Sequence, residues 1–291
     1  MTTTAPDAVT REAPAKVNLL LRVLARETSG YHGIETLFCR LALADELVVE
    51  RRGAGGAVSL ETDGPDLGPV EENLAVRGAK LVLAGTGNRF GVHLRLTKRI
   101  PVGAGLGGGS SDGAAAILAV SQLAGNGVPR AELFHYAARL GADVPFLLSE
   151  ASLALGWGHG ERLLRLPPLP RAPALLVSPP VSIATREAYA WVDAAREHAG
   201  SRGSLCLDLD AVSRWSDVAR MAGNDFESAV FGKVPEVRAA FEAVAGTGPL
   251  LCRMSGSGST VFGVYRSERD RDDARMALGR KLGTVVATET A

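Results

Sequence analysis

Residues 101–112, PVGAGLGGGSSD, constrain this chain more than any other stretch, because glycines at 103, 105, 107, 108 and 109 stand between a strand pattern and a helix pattern. Before them, Val92, Leu94 and Leu96 alternate with His93, Arg95 and Thr97, the period of a half-buried strand. After them, an Ala-rich run carries Ile117, Val120 and Leu123 at helical spacing. A strand, a glycine loop and a helix in that order let several backbone N–H groups converge on one concavity. The helix start adds unsatisfied donors and roughly half a positive charge. Pro101, Val102, Gly103, Ala104, Gly105, Leu106, Gly107, Gly108, Gly109, Ser110 and Ser111 are therefore a candidate phosphate cradle. The plainer reading is a tightly packed turn. Gly103, Gly105 and Gly108 satisfy GxGxxG, but a dinucleotide fold wants an acidic strand end about 20 residues on, and Glu132 there lies in a helix pattern. A P-loop needs Lys and then Ser or Thr after its glycines, whereas this loop ends Gly-Gly-Ser-Ser.

The rest of the chain sets this loop in an α+β pattern. Strands are expected at 17–24, 46–50, 57–62 and 92–97, with helices at 71–83, 113–123 and 130–140. Residues 1–10 read as a loose tail, without the basic start and apolar run of a secretory signal. Pro167, Pro168, Pro170 and Pro173 interrupt regular structure, which predicts two domains, 1–168 and 169–291. The second is expected to hold a strand at 174–178, helices near 185–197, 209–221 and 234–244, strands flanking 255–259, and a closing helix and strand, arranged as an antiparallel layer.

Charge and cysteine usage remove several function classes. Lys plus Arg and Asp plus Glu are 32 each, so no global field draws the chain to nucleic acid or to an anionic membrane. The longest apolar run, 114–120, is far short of the ~20 residues that span a bilayer. Cys39, Cys206 and Cys252 are odd in number and widely spaced, matching neither a disulfide framework nor a zinc site, and a reducing cytoplasm fits them.

Three segments together resemble the GHMP kinases, the galactokinase, homoserine, mevalonate and phosphomevalonate group. APAKVNLLL at 13–21 resembles the opening motif, PVGAGLGGGSSDGAAA the second, and RMSGSGSTVF at 253–262 the third. Within that group, PAKVN with Lys16, GYH at 30–32 and GADVPF at 141–146 resemble the branch acting on diphosphocytidyl-methylerythritol. The resemblance implies ATP as phosphoryl donor with Mg²⁺ carried mainly by its phosphates, and a small diphosphocytidyl substrate as acceptor. It implies a ribosomal-S5-like ATP-binding N-terminal domain and a ferredoxin-like substrate-binding C-terminal domain, in a monomer or homodimer without nucleic-acid or membrane partners.

Phosphoryl transfer asks for positioning, charge stabilisation and a group to take or orient the hydroxyl proton. By resemblance Asp143 is that group and Lys16 stabilises charge beside it; the plainer readings are a helix-capping Asp and a solvated strand-end Lys. Tyr31, His32 and Tyr189 resemble a cytidine site, with Tyr31 and Tyr189 sandwiching the base; alternatively they belong to a turn and a helix core. Asn18 and Thr185 resemble positions holding the methylerythritol, and Asn73 and Lys98 positions near the adenine. Asp112, Asp143 and Asp225 are all candidate Mg²⁺ ligands, and the choice among them is open. Gly113 departs from the Ala expected in many relatives. Another kinase of the group, a noncatalytic ATP-binding regulator, and a loop serving packing alone are the competing readings.

Overall fold

The computed structural model describes residues 6–28, 30–196, 210–279 and 281–291, and their contacts divide the chain into two compact units. The first comprises Met1–Ala15, Leu43–Val102 and Gly107–Glu150; the second comprises Lys16–Ala42, Gly103–Leu106 and Ala151–Ala291. Two long strands pass from one unit to the other, β1 (Ala8–Arg26) and β2 (His32–Arg52). The supposed tail therefore already enters β1 at Ala8. Both strands outrun their apolar cores because charged residues on their exposed positions, such as Glu12 and Arg26, hide the pattern without breaking the ladder. The proline cluster at 167–173 lies inside the second unit.

In the first unit, Glu46 to Arg52 of β2 pair antiparallel with β4 (Gly91–Thr97), and β3 (Val58–Asp63) runs parallel to β4. The expected helix at 71–83 begins later, as α1 (Leu74–Gly85), because Asn73 caps it: the Ala75 amide donates to Asn73 Oδ1 at 2.9 Å. The helix after the glycine loop, α2 (Gly108–Leu123), packs on α1, on α3 (Arg130–Leu140) and on α4 (Val144–Ser149). Gly113 has a packing reason: a methyl group there would lie 3.2 Å from both the Cβ and the carbonyl oxygen of Leu74, where α1 crosses α2.

In the second unit, β5 (Leu153–Gly158) pairs antiparallel with Ile34 to Cys39 of β2, and β6 (Arg162–Leu166) completes a hairpin that the sequence patterns did not suggest. Four antiparallel strands form a separate sheet in the order β11 (Thr284–Glu289), β7 (Pro173–Ser178), β10 (Val261–Val264), β9 (Leu251–Met254). Ala174 through Ser178 is a continuous buried run, as befits a strand covered on both faces. Helices α8 (Pro235–Ala245) and α9 (Glu268–Leu278) pack on this sheet. Val177, Val237, Val244, Met254, Val261 and Tyr265 belong to the apolar core, and the Tyr265 hydroxyl is satisfied by Thr247 at 2.8 Å. The remaining elements are α5 (Thr185–Arg196), α6 (Trp215–Met221), the short β8 (Gly223–Asn224) beside β1, and α7 (Glu227–Lys233). The helix expected at 209–221 is thus a 3-10 turn, Asp210–Val212, and then α6; Leu209, like Cys206, lies outside the described residues. No described helix is long and apolar enough to cross a membrane.

Candidate active site

Parts of all three resembling motifs are hydrogen-bonded together within the second unit. The Lys16 amide donates to the Leu106 carbonyl at 2.9 Å, joining β1 to the glycine loop. Ser255 Oγ donates to the Gly105 carbonyl at 2.9 Å and the Thr260 amide to the Ala104 carbonyl at 3.1 Å, so the turn between β9 and β10 clasps the same segment. That turn is itself braced, because Asn224 Nδ2 donates to the carbonyls of Met254 and Gly256, each at 2.8 Å. Asn224 carries no sequence signal beyond an Asn after Gly at a helix end; only the fold reveals its use.

Lys16 is 3% exposed, an uncommon place for an ammonium unless its donors are satisfied. Its Nζ donates to Asn18 Oδ1 at 2.8 Å, and the Gly256 amide donates to that same oxygen at 3.1 Å. Asn18 Nδ2 donates to Thr36 Oγ1 at 2.7 Å, and Thr36 in turn donates to the Leu20 carbonyl at 2.8 Å. Asn18 is therefore oriented by a chain of buried polar groups, and with it the lysine head. The solvated-strand-end reading of Lys16 fails on this burial. Thr185 Oγ1 lies 3.2 Å from Ser257 Oγ, which brings Thr185 to the third motif.

The rings near the start of β2 divide into two groups. His32 stacks on Tyr189, centroids 4.9 Å apart and planes 14° off parallel, and Tyr189 meets the edge of Phe226. Tyr31 is two-thirds exposed and lies 5.3 Å from the His159 ring. His32 Nε2 sits 2.8 Å from Asp193 Oδ1.

In the first unit, the remainder of the glycine loop becomes the start of α2. Gly107 takes a left-handed conformation and no side chain caps the helix, which leaves the amides of Gly108, Gly109 and Ser110 with no intrahelical acceptor. Below this end lies a buried charge cluster that the sequence did not suggest. Lys98 Nζ bridges Asp45 and Asp112, 2.7 Å from the Asp112 carboxylate, and Asp45 also accepts the amides of Arg99 and Ile100 at 2.5 and 2.8 Å. The second Asp112 oxygen and the Ser111 hydroxyl are buried with no hydrogen-bond partner among the described residues. Burial pushes the Asp112 carboxyl up to about 7, against the pull of Lys98. Lys98 thus spends its ammonium on two carboxylates. Asn73 spends its side-chain oxygen on the α1 cap.

Asp143 precedes α4, yet its side chain makes no capping hydrogen bond, so the capping reading does not account for it. Asp225 Oδ2 accepts the Val23 amide at 2.7 Å while its own amide donates to the Leu21 carbonyl, a structural use that explains its place beside β1. Among the described residues no group of three or more His, Cys, Asp or Glu could hold a metal ion.

Comparison with known proteins adds the family. The GHMP kinase N-terminal domain model matches residues 73–150 and the GHMP kinase C-terminal model residues 208–284. The chain is 38% identical to 4-diphosphocytidyl-2-C-methyl-D-erythritol kinase of Pelotomaculum thermopropionicum, over 94% of this chain and 93% of that one. It belongs to that family of GHMP kinases. The 4-diphosphocytidyl-2-C-methyl-D-erythritol kinase of Pelobacter propionicus is 37% identical over 96% of this chain and 98% of its own. A crystal structure of 4-(cytidine 5'-diphospho)-2C-methyl-D-erythritol kinase superposes with a TM-score of 0.81 at 39% identity, covering 97% of this chain and 99% of that one. A homoserine kinase from Cytophaga hutchinsonii, at 21% identity and a TM-score of 0.69, shares the fold. The expected α+β GHMP kinase fold is the one found, a mixed fold built on two sheets.

Proposed function

We propose that this chain transfers the γ-phosphoryl group of ATP to the 2-hydroxyl of 4-diphosphocytidyl-2-C-methyl-D-erythritol, giving the 2-phosphate and ADP, in non-mevalonate isoprenoid precursor synthesis. The observation that carries this reading is end-to-end likeness at 37–38% identity to relatives bearing that kinase name, with the three motifs in place. A cytoplasmic setting accords with free, buried Cys39 and Cys252.

In this reaction a bond forms between the acceptor oxygen and Pγ while the bond from Pγ to the bridging oxygen of ADP breaks, and the hydroxyl proton must leave. Asp143 takes or orients that proton, and Lys16, held by Asn18, offsets charge on the moving phosphoryl oxygens. The amides of Gly108, Gly109 and Ser110 receive the phosphates. Tyr31, His32 and Tyr189 hold the cytosine, while Thr185 and Asn18 serve the methylerythritol. Asn73 stands at the adenine end, and Lys98 supports the nucleotide through the loop it braces. The partnerless oxygens of Ser111 and Asp112 are hard donors that fit Mg²⁺, which when bound would neutralise phosphate charge.

Purified protein should phosphorylate the diphosphocytidyl substrate from ATP and leave mevalonate and homoserine untouched. Lys16→Ala and Asp143→Asn should each lower kcat at least ~10²-fold with the thermal transition preserved. Turnover near that of the parent in either variant removes that residue from the mechanism, and equal activity on mevalonate would overturn the acceptor.

A further inference from the structure

Tyr189 and Asp193 lie four residues apart on α5, so one face of that helix presents both. Both meet His32: the ring of Tyr189 by stacking, and Asp193 through a carboxylate oxygen 2.8 Å from Nε2. The imidazole is nearly enclosed, its side chain 5% exposed, whereas the Asp193 side chain is about one-third exposed. Nδ1 forms no hydrogen bond to any described residue.

A carboxylate can only accept, so Nε2 facing Asp193 must carry the hydrogen. In the neutral ring the other nitrogen is then a bare acceptor. Stacking against Tyr189 holds the ring plane, and the carboxylate decides which nitrogen is protonated. Cytosine offers an exocyclic amine donor at the position where uracil offers a carbonyl acceptor, so an acceptor nitrogen matches the first and repels the second. We infer that Asp193 is a positioning residue that locks His32 in its Nε2–H tautomer and thereby makes the site choose cytosine over uracil. The inference rests on the proposed role of Tyr31, His32 and Tyr189 as the pyrimidine site.

The test uses the full-length protein with CMP and UMP as calorimetric probes, and the cytidine and uridine forms of the diphospho-substrate in turnover. Asp193→Asn lets an amide donate to Nε2 and moves the ring hydrogen to Nδ1. It should reduce the preference for CMP over UMP by about 10-fold or more, and the turnover loss should fall mainly on KM. Asp193→Glu, which keeps an acceptor, should restore most of the preference. Nitrogen-15 spectra should show the Nε2–H tautomer of His32 in the parent and the Nδ1–H tautomer in Asp193→Asn. A parent carrying Nδ1–H, or an Asp193→Asn variant with undiminished preference for CMP, overturns the inference and leaves the pyrimidine site standing. A parent that binds neither nucleotide overturns the pyrimidine site itself.

Discussion

Gly105 and Gly109 stand four residues apart in one loop, yet a methyl group on each would meet different surroundings. On Gly105 it would lie 2.4 Å from the Ser255 carbonyl oxygen and 2.8 Å from that of Gly258, and the backbone there has φ +79°. On Gly109 it would find nothing nearer than Leu74 Cδ1 at 4.0 Å, and the residue is helical. The first glycine is demanded by the protein, because the third motif closes directly over it. No crowding by the described residues demands the second, and its place fits the phosphate cradle proposed for this loop. The two ends of one motif thus report on different things: the clasped end on folding, the helix end on the phosphate binding proposed for its backbone amides.

The largest effect expected from this contrast is that of Gly105→Ala. Both a left-handed conformation and a clash with backbone carbonyls oppose the methyl group, so destabilisation of at least about 3 kcal/mol is expected. Thermal unfolding should register a fall of roughly 6 °C or more, with activity lost alongside. If Gly105→Ala unfolds within about 1 °C of the parent, the clasp between the second and third motifs is looser than its hydrogen bonds imply.

This contrast also marks how far the sequence could be read. The glycine loop, β4 and α2 were legible because their signals are local: alternation, glycines, helical spacing. The charge cluster beneath them was not, since nothing in the sequence around Asp45 pairs it with Lys98, and only the antiparallel pairing of β2 with β4 does so. β2 was legible only at 46–50 because along its 21 residues it changes partner, from β5 to β4, and its burial pattern follows those partners instead of one apolar run. Lys16 was located by its motif, but its burial and its anchoring by Asn18 and Thr36 needed the fold. Asp193 was invisible for a similar reason: on a helix, an Asp four residues after a Tyr reads as a solvated position until His32 is placed beside both.

Asp112→Asn sharpens the comparison at the helix end. Because burial lifts the folded carboxyl from its ordinary 3.8 to about 7, the folded state keeps a proton that the unfolded state has already released between those values. This group therefore weakens folding progressively as pH rises through that window, and no further above it. The amide has no such dependence, so the melting temperature of the variant relative to the parent should climb between about pH 5 and pH 7.5. A difference that stays flat across that range would mean Asp112 is ionised beneath the loop throughout.

Gly109→Ala is expected to have the smallest effect on stability and to carry the most information about the ligand. Alanine in place of glycine within a helix contributes about 0.5–1 kcal/mol, and the neighbour the methyl group would meet, Leu74 Cδ1 at 4.0 Å, is too far away to clash and offset that gain. The melting temperature should rise by roughly 1–2 °C. The same methyl group projects from the first turn of α2, where the amides of Gly108, Gly109 and Ser110 lack intrahelical acceptors. Phosphate oxygens drawn to those amides would meet it, so the KM for ATP should increase about 10-fold or more while the fold tightens. Stability and nucleotide affinity moving in opposite directions at one position is an outcome that a purely architectural loop cannot produce. An unchanged KM in a stabilised Gly109→Ala protein would instead show that the phosphates keep clear of this turn, leaving the clasped end of the loop as the place to look for them.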